Sequence, residues 1–187
     1  TDAACMFALI HVMLHEHPRD RLDLPFLRDA TSSPYLVGPN GYYLREAATG
    51  KPLLWDTRAA AAVPFDTPGA EPLLEGRVSV AGAVEFGADG QHWSHENVEA
   101  ETAFTKLVEH LRRYSPEWAA PICEVPAATI RRLAAEYLDN ACVGETIEVD
   151  GERLPFRPVA VTLGKTVNNG WGAFEAVWSR TVLAALV

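Results

Sequence analysis

Pro158-Val-Ala-Val-Thr-Leu-Gly-Lys-Thr-Val-Asn-Asn-Gly-Trp-Gly172, continuing as Ala173-Phe-Glu-Ala-Val-Trp-Ser-Arg-Thr-Val-Leu-Ala-Ala-Leu-Val187, is the stretch on which the fold reading turns. Val159 to Leu163 is an apolar, largely β-branched run of strand length without strict alternation. That is the pattern of a strand buried on both faces, and hence of a parallel sheet. Gly164, Gly170 and Gly172, with Lys165, Thr166, Asn168 and Asn169 among them, then form a polar loop. Phe174, Val177, Trp178, Val182, Leu183 and Leu186 follow at helical spacing. In an open α/β sheet, ligands lie beyond the carboxyl ends of the strands, where glycine permits close backbone approach and a helix N-terminus offers free N–H groups to anions. The expectation is an α/β fold with its binding site at this loop.

Working outward, Glu145 to Phe156 alternates on both sides of Asp150-Gly151, a strong hairpin signal leading into the expected strand. Ala127 to Ala141 repeats Ile130, Leu133, Ala134, Tyr137 and Leu138, predicting a helix packed on the sheet with Arg131 and Arg132 on a solvated face. Ser115-Pro-Glu-Trp118 reads as a capped helical start with proline at the first position. Glu101 to Tyr114 is amphipathic through Phe104, Leu107, Val108 and Leu111. Between Ser33 and Gly90 the texture changes to prolines, glycines and short apolar runs, which predicts antiparallel hairpins closed by Trp93 as an aromatic anchor. Leu22 to Ala30 reads as a short helix with Phe26 and Leu27 facing inward. The first helix runs from Thr1 or Asp2 to Pro18, with His11 and His15 one turn apart near its end.

Composition sets outer bounds. With 187 residues, 48% of them hydrophobic, the chain can bury a sizeable core. A net charge of -9 argues against a surface that neutralises nucleic-acid phosphates or anionic lipid, and no apolar run approaches the roughly 20 residues of a membrane span. Cys5, Cys123 and Cys142 are too few and too separated for a disulfide framework, and no Cys-x-x-Cys pair exists. The reading is of three small, buried or half-buried thiols. The chain opens on Thr1-Asp2 without an initiator methionine and stops at Val187 inside a helical pattern, so a piece of a longer polypeptide is expected.

Several runs, in order, resemble the molybdopterin oxidoreductases of the DMSO reductase family: Thr1-Asp-Ala-Ala before an apolar helix, Asp23 to Leu27 with Pro34-Tyr-Leu-Val37, Tyr114-Ser-Pro-Glu-Trp-Ala119 with Val125-Pro-Ala-Ala-Thr-Ile-Arg-Arg-Leu-Ala134, and the glycine-asparagine loop. The resemblance implies part of a three-layer, parallel-sheet, dinucleotide-binding domain with a β-rich insertion. Residues 1–32 would be the helical start of this cofactor-binding domain, 33–100 the insertion and 101–187 the remainder. It also implies a catalytic subunit holding molybdenum or tungsten between two molybdopterin guanine dinucleotides (bis-MGD). Thr1, Asp2, Gly164, Lys165, Thr166, Asn168, Asn169, Gly170 and Trp171 would line the cofactor. Phosphates suit backbone N–H groups and a lysine, and pterin and guanine edges suit amide side chains that donate and accept.

The family's [4Fe–4S] cysteines and its metal ligand match nothing in this sequence, so those parts, and catalysis itself, would reside elsewhere in the parent chain. The implied partners are the remainder of the catalytic subunit, an iron–sulfur electron-transfer subunit, plus a membrane anchor subunit, with a cytoplasmic or periplasmic location left open. Gly164 to Gly172 with the preceding hairpin is similar to the subgroup of phenylacetyl-CoA acceptor oxidoreductases, while polysulfide, thiosulfate and arsenic-compound enzymes stay open. Read without the resemblance, the same loop would serve a stand-alone nucleotide- or phosphate-binding module, or be the bare connection of an interaction protein whose contact surface is the insertion.

Overall fold

A computed structural model describes residues 2–87, 89, 91–162, 164 and 172–187. Its helices are α1 (Asp2–His15), α2 (Leu24–Asp29), α3 (Ala103–Leu111), α4 (Pro116–Cys123), α5 (Ala127–Asn140) and α6 (Ala173–Ala185), with a 3-10 turn at Arg19–Arg21. Its strands are β1 (Leu36–Val37), β2 (Leu44–Glu46), β3 (Leu53–Asp56), β4 (Ala61–Pro64), β5 (Arg77–Ala81), β6 (Ala83–Phe86), β7 (His92–Ser94), β8 (Asn97–Thr102), β9 (Thr146–Val149) and β10 (Glu152–Pro155). The chain divides into two compact units, Thr1–Leu24 with His110–Val187, and Pro25–Glu109.

The expected three-layer parallel sheet is not found. Every strand pairing among the described residues is antiparallel, in sheets of two or three strands. Of the expected doubly buried strand Val159–Leu163, residues 159–162 belong to no helix or strand, and Leu163 lies outside the described residues. Val159 and Val161 are half-buried while Pro158, Ala160 and Thr162 are exposed, so one side of the segment is covered, not two. An apolar run reports burial; it does not supply the neighbouring strand that a ladder needs.

The first unit is helical and centres on α1, which packs against α4, α5 and α6. Ala4 and Ala8, one turn apart, meet Ala119 of α4 and Ile130 of α5 in a core rimmed by Cys5, Leu9, Cys123 and Val125. Alanine at both positions lets the helix axes approach closely. The α5 helix spans the expected residues, but it packs on helices rather than on a sheet. The α4 helix begins as read: Ser115 Oγ accepts from Trp118 N at 3.3 Å, and Pro116 occupies the first turn. It ends where Glu124 turns left-handed at φ 60°.

Arg131 departs from the solvated-face reading. Its guanidinium donates to Glu16 Oε2 (2.7 Å), beyond the end of α1, and to Glu117 Oε1 (2.6 Å) on α4, fastening three helical segments. Arg132 does stay at the surface, paired one turn on with Glu136. The β9–β10 hairpin forms with the expected two-residue turn, Asp150 at φ 53° and Gly151 at φ 81°.

The second unit holds three small sheets, ordered β1-β8-β5, β2-β6-β7 and β3-β4. Leu36, Leu44, Leu53, Val80, Ala83, Val98 and Ala100 form its core, flanked by Trp55, Ala62 and Val78. Inside it lies a charged group: Glu85 on β6 is 3% exposed, and its carboxylate accepts from Asn40 N (3.2 Å) and meets His95 Nε2 at 2.7 Å. A Cβ placed on Gly38 would fall into that carboxylate and against Leu44, so a side chain there would push the Glu85 carboxylate out of its place. Two inward assignments are corrected. Phe26 is 44% exposed, with Leu27 alone of that pair buried, and Trp93 is 44% exposed on β7 rather than anchoring the insertion. The expected Glu101–Tyr114 helix spans only Ala103–Leu111; it starts late because Glu101 and Thr102 still pair in β8, and Thr102 Oγ1 accepts from Thr105 N at 3.2 Å in the geometry of a cap. Among the described residues no helix is long and apolar enough to cross a membrane.

The Arg131 hydrogen bonds hold the Glu117 carboxyl down at about 2. A depressed carboxylate stabilises the fold above its unfolded value near 4.5 and loses that contribution as the pH falls toward 2. The thermal midpoint of the native chain should therefore drop between pH 4.5 and about 3 more steeply than that of Arg131→Gln, as followed by circular dichroism. Ile130→Ala removes a fully buried side chain and should cost about 2–5 kcal/mol by urea denaturation.

Candidate functional site

The expected binding loop enters from 156–162 and leaves into α6, and both ends are held by long-range contacts of the first unit. Arg157 donates through Nη2 to Asp23 Oδ2 at 2.7 Å and through Nη1 to the Cys142 carbonyl at 3.0 Å. Arg180 Nε, on α6, donates to the Val161 carbonyl at 2.8 Å. The α6 helix is itself seated on α1: Ser179, fully buried, points its hydroxyl at Met6 Sδ (3.6 Å), and Trp178 meets Phe7 edge-on with centroids 6.0 Å apart. Beyond the helix, Asp23 N donates to the Leu186 carbonyl at 2.9 Å.

Of the expected cofactor residues, Asp2 and Gly164 are described, and both are exposed. Asp2 opens α1, where its charge complements the helix dipole. Thr1, Lys165, Thr166, Asn168, Asn169, Gly170 and Trp171 lie outside the described residues. Gly172 closes the loop in the left-handed region at φ 77°, where a side chain would be strained, and caps α6 without a side-chain hydrogen bond. That leaves the first-turn N–H groups of α6 uncapped by any side chain at this position, although Glu175 in the same turn already supplies the negative charge that a helix start favours.

Other candidates resolve into structure. His11 is buried and its Nδ1 bonds the Leu111 carbonyl at 2.9 Å; its ring lies 4.8 Å from that of His15. Among the described residues no three His, Cys, Asp or Glu side chains stand together as metal ligands. In the second unit, a hollow of about 450 Å³ is lined by Arg28, Asp29, Thr57, Glu71, Pro72 and Leu73. Its wall is braced by Asp56, whose carboxyl is lowered first by the Glu71 backbone N–H and also by that of Arg58. This mixture of signs contains no nucleophile paired with a base.

Sequence reasoning missed Asp23, Arg157 and Arg180 as the residues that hold the loop ends. Each partner lies far along the chain or on another element, so no local pattern marks them.

No protein-family model matches the chain. Over 150 residues it is 31% identical to a sulfite dehydrogenase subunit of Allochromatium vinosum, an alignment covering 73% of this chain. The chain spans about 14% of the length of that relative. It is thus similar to a segment of an oxidoreductase subunit.

The half-buried Asp23–Arg157 pair should show coupling. A double-mutant cycle with Asp23→Asn and Arg157→Met, read by urea denaturation, is expected to give an interaction of about 1 kcal/mol, above the lower range for fully exposed pairs.

Proposed function

We propose that this chain is part of the catalytic subunit of a molybdenum or tungsten oxidoreductase of the DMSO reductase family, and that its share is one wall of the bis-MGD cleft. The observation that carries the proposal is the 31% identity to a sulfite dehydrogenase subunit, extending over 150 residues rather than one motif. The ordered runs from Thr1-Asp2 to Gly172 point the same way. The family's parallel sheet is not what this chain brings, since its described strands are all antiparallel. What it brings is a helical platform of α1 and α6 and the loop between residues 162 and 172.

The residues present suit an organic anionic cofactor better than a bare metal. No metal-ligand cluster occurs among the described residues, whereas the loop joins exposed glycines to lysine, threonine and asparagine donors. When bound, the cofactor supplies a two-electron redox centre. This chain's part is then to hold it: Lys165 offers a cation to a phosphate, Asn168 and Asn169 offer paired donors and acceptors to a ring edge, and Gly164, Gly170 and Gly172 permit close backbone approach. Arg157 and Arg180 steady the loop ends from behind. The metal ligand, the [4Fe–4S] cysteines and the contacts to a membrane anchor or an iron–sulfur protein fall to other parts of the assembly.

In the full-length polypeptide, Lys165→Ala and Asn168→Ala should each lower bound guanine dinucleotide and metal by about tenfold under competition, the loss expected from one charge-assisted hydrogen bond. Metal analysis by mass spectrometry and nucleotide release by chromatography read this out. Unchanged content in both variants would make the loop a bare connection. Micromolar binding of GTP, GDP or NAD by the 187-residue chain would favour a stand-alone nucleotide-binding module instead.

A further inference from the structure

A chain of exposed aromatic rings crosses the helices of the first unit. Trp178 on α6 meets Phe7 on α1 with centroids 6.0 Å apart, Phe7 stacks on Tyr114 at 4.9 Å, and Tyr114 meets Trp118 on α4 at 4.8 Å. Phe174, one turn before Trp178, and Ile122, one turn after Trp118, extend the strip at its two ends. Phe174 is 78% exposed, Trp118, Ile122 and Trp178 lie between 37% and 41%, and Phe7 and Tyr114 are half-buried. Apolar residues scattered singly over a surface need no explanation, but a contiguous exposed patch marks a surface that another element covers. Tryptophan and tyrosine are also the residue types that concentrate at the centres of interfaces.

One end of the strip is cationic. The Arg113 guanidinium lies 4.8 Å over the Tyr114 ring and donates to its hydroxyl at 2.7 Å, and Arg112 stands next to it in the chain; both are exposed. Among the described residues neither has a carboxylate partner. Glu117, the acid beside Trp118 in the chain, is already held by Arg131. His110, 5.4 Å from Tyr114, is pushed down by burial and then by Arg113, so it is neutral at pH 7. In a chain of net charge -9, the strip thus offers two positive charges with no internal acid to meet them.

We propose that this strip seats an amphipathic helix from the remainder of the same polypeptide, with an apolar side chain on each successive turn and a carboxylate at the Arg112–Arg113 end. The ring-to-ring steps of 4.8 to 6.0 Å bracket the roughly 5.4 Å pitch of an α-helix, so successive turns can lay a side chain against successive rings. A carboxylate meeting the guanidiniums forms a charge-assisted pair that sets the register and direction of the docked helix. The occupant comes from the same polypeptide because this chain spans about 14% of the length of the sulfite dehydrogenase subunit to which it is similar. In a subunit of that length most of the chain is tethered to these residues, which raises its effective concentration at the strip.

Docking of this kind requires the chain to be part of a longer subunit, as proposed for its function, but requires no cofactor at the loop. Bound metal and nucleotide test the loop, and protection of the rings tests the strip, so either can fail alone. The experiment is hydroxyl-radical footprinting, read by peptide mass spectrometry, on the full-length polypeptide and on the 187-residue chain. Phe174 should be oxidised about fivefold less in the full-length polypeptide, following its fall from 78% exposure to the near-complete burial of an interface centre, with Trp118 and Trp178 protected alongside it. Full-length Arg112→Glu, which leaves the Arg113–Tyr114 contact in place, should regain part of that oxidation, and Arg112→Glu with Arg113→Glu most of it. Arg112→Lys with Arg113→Lys should stay protected, and circular dichroism should show each variant folded. Equal oxidation of Phe174 in the two polypeptides would overturn the proposal. So would protection that grows with the concentration of the 187-residue chain, which makes a second copy the occupant, protection that needs a separate subunit to be added, or protection unchanged by charge reversal.

Discussion

The close approach of α1 to its neighbours is the constraint on which the first unit depends. Ala4 and Ala8 present only methyl groups to Ala119 and Ile130, so the seam is filled by small side chains and one isoleucine. Nearby features inherit this spacing. Arg131 reaches Glu16 and Glu117 together only because α5 lies against both α1 and α4. Cys5 and Cys123 both line the rim of the same seam. Larger side chains at the alanine positions would separate the helices and loosen these contacts together, since interiors packed at crystal-like density relax only partly.

The second unit answers a different constraint. Short antiparallel strands cannot build a deep core, and Leu36, Leu44, Leu53 and Val80 form a modest one. A buried carboxylate therefore takes a positioning role within it. Glu85 has two partners, Asn40 N–H and His95, and the missing side chain of Gly38 makes its room. Buried charge is tolerable when it is bonded on each side, and the bonds then fix the turn that supplies them.

For the proposed cofactor role, the consequence lies in how the loop ends are held. Holding any chain segment in one conformation costs entropy, and fixing its ends lowers the part of that cost that binding must offset. Fastening 156–162 through Arg157 and Arg180, and seating α6 on α1 through Ser179 and Trp178, fixes both ends before any ligand arrives. Preorganisation of this kind is placed in helices and arginines rather than in the strand first expected there. The same arrangement would serve any anionic ligand, so the identity of that ligand rests on the similarity to part of an oxidoreductase.

Residue order by itself determined the local features. The α5 span, the Ser115-Pro116 start of α4 and the Asp150-Gly151 turn were all legible, because caps, periodicity and left-handed turns are set by neighbours within a few residues. Tertiary structure decided the rest. Whether residues 159–162 of the expected strand found a partner, whether Trp93 turned inward and which carboxylates took up Arg131 all depend on segments far off in the chain. Hydrophobic pattern states that a side chain will be covered; only the packed chain states by what, because burial energy is non-directional and close packing is not.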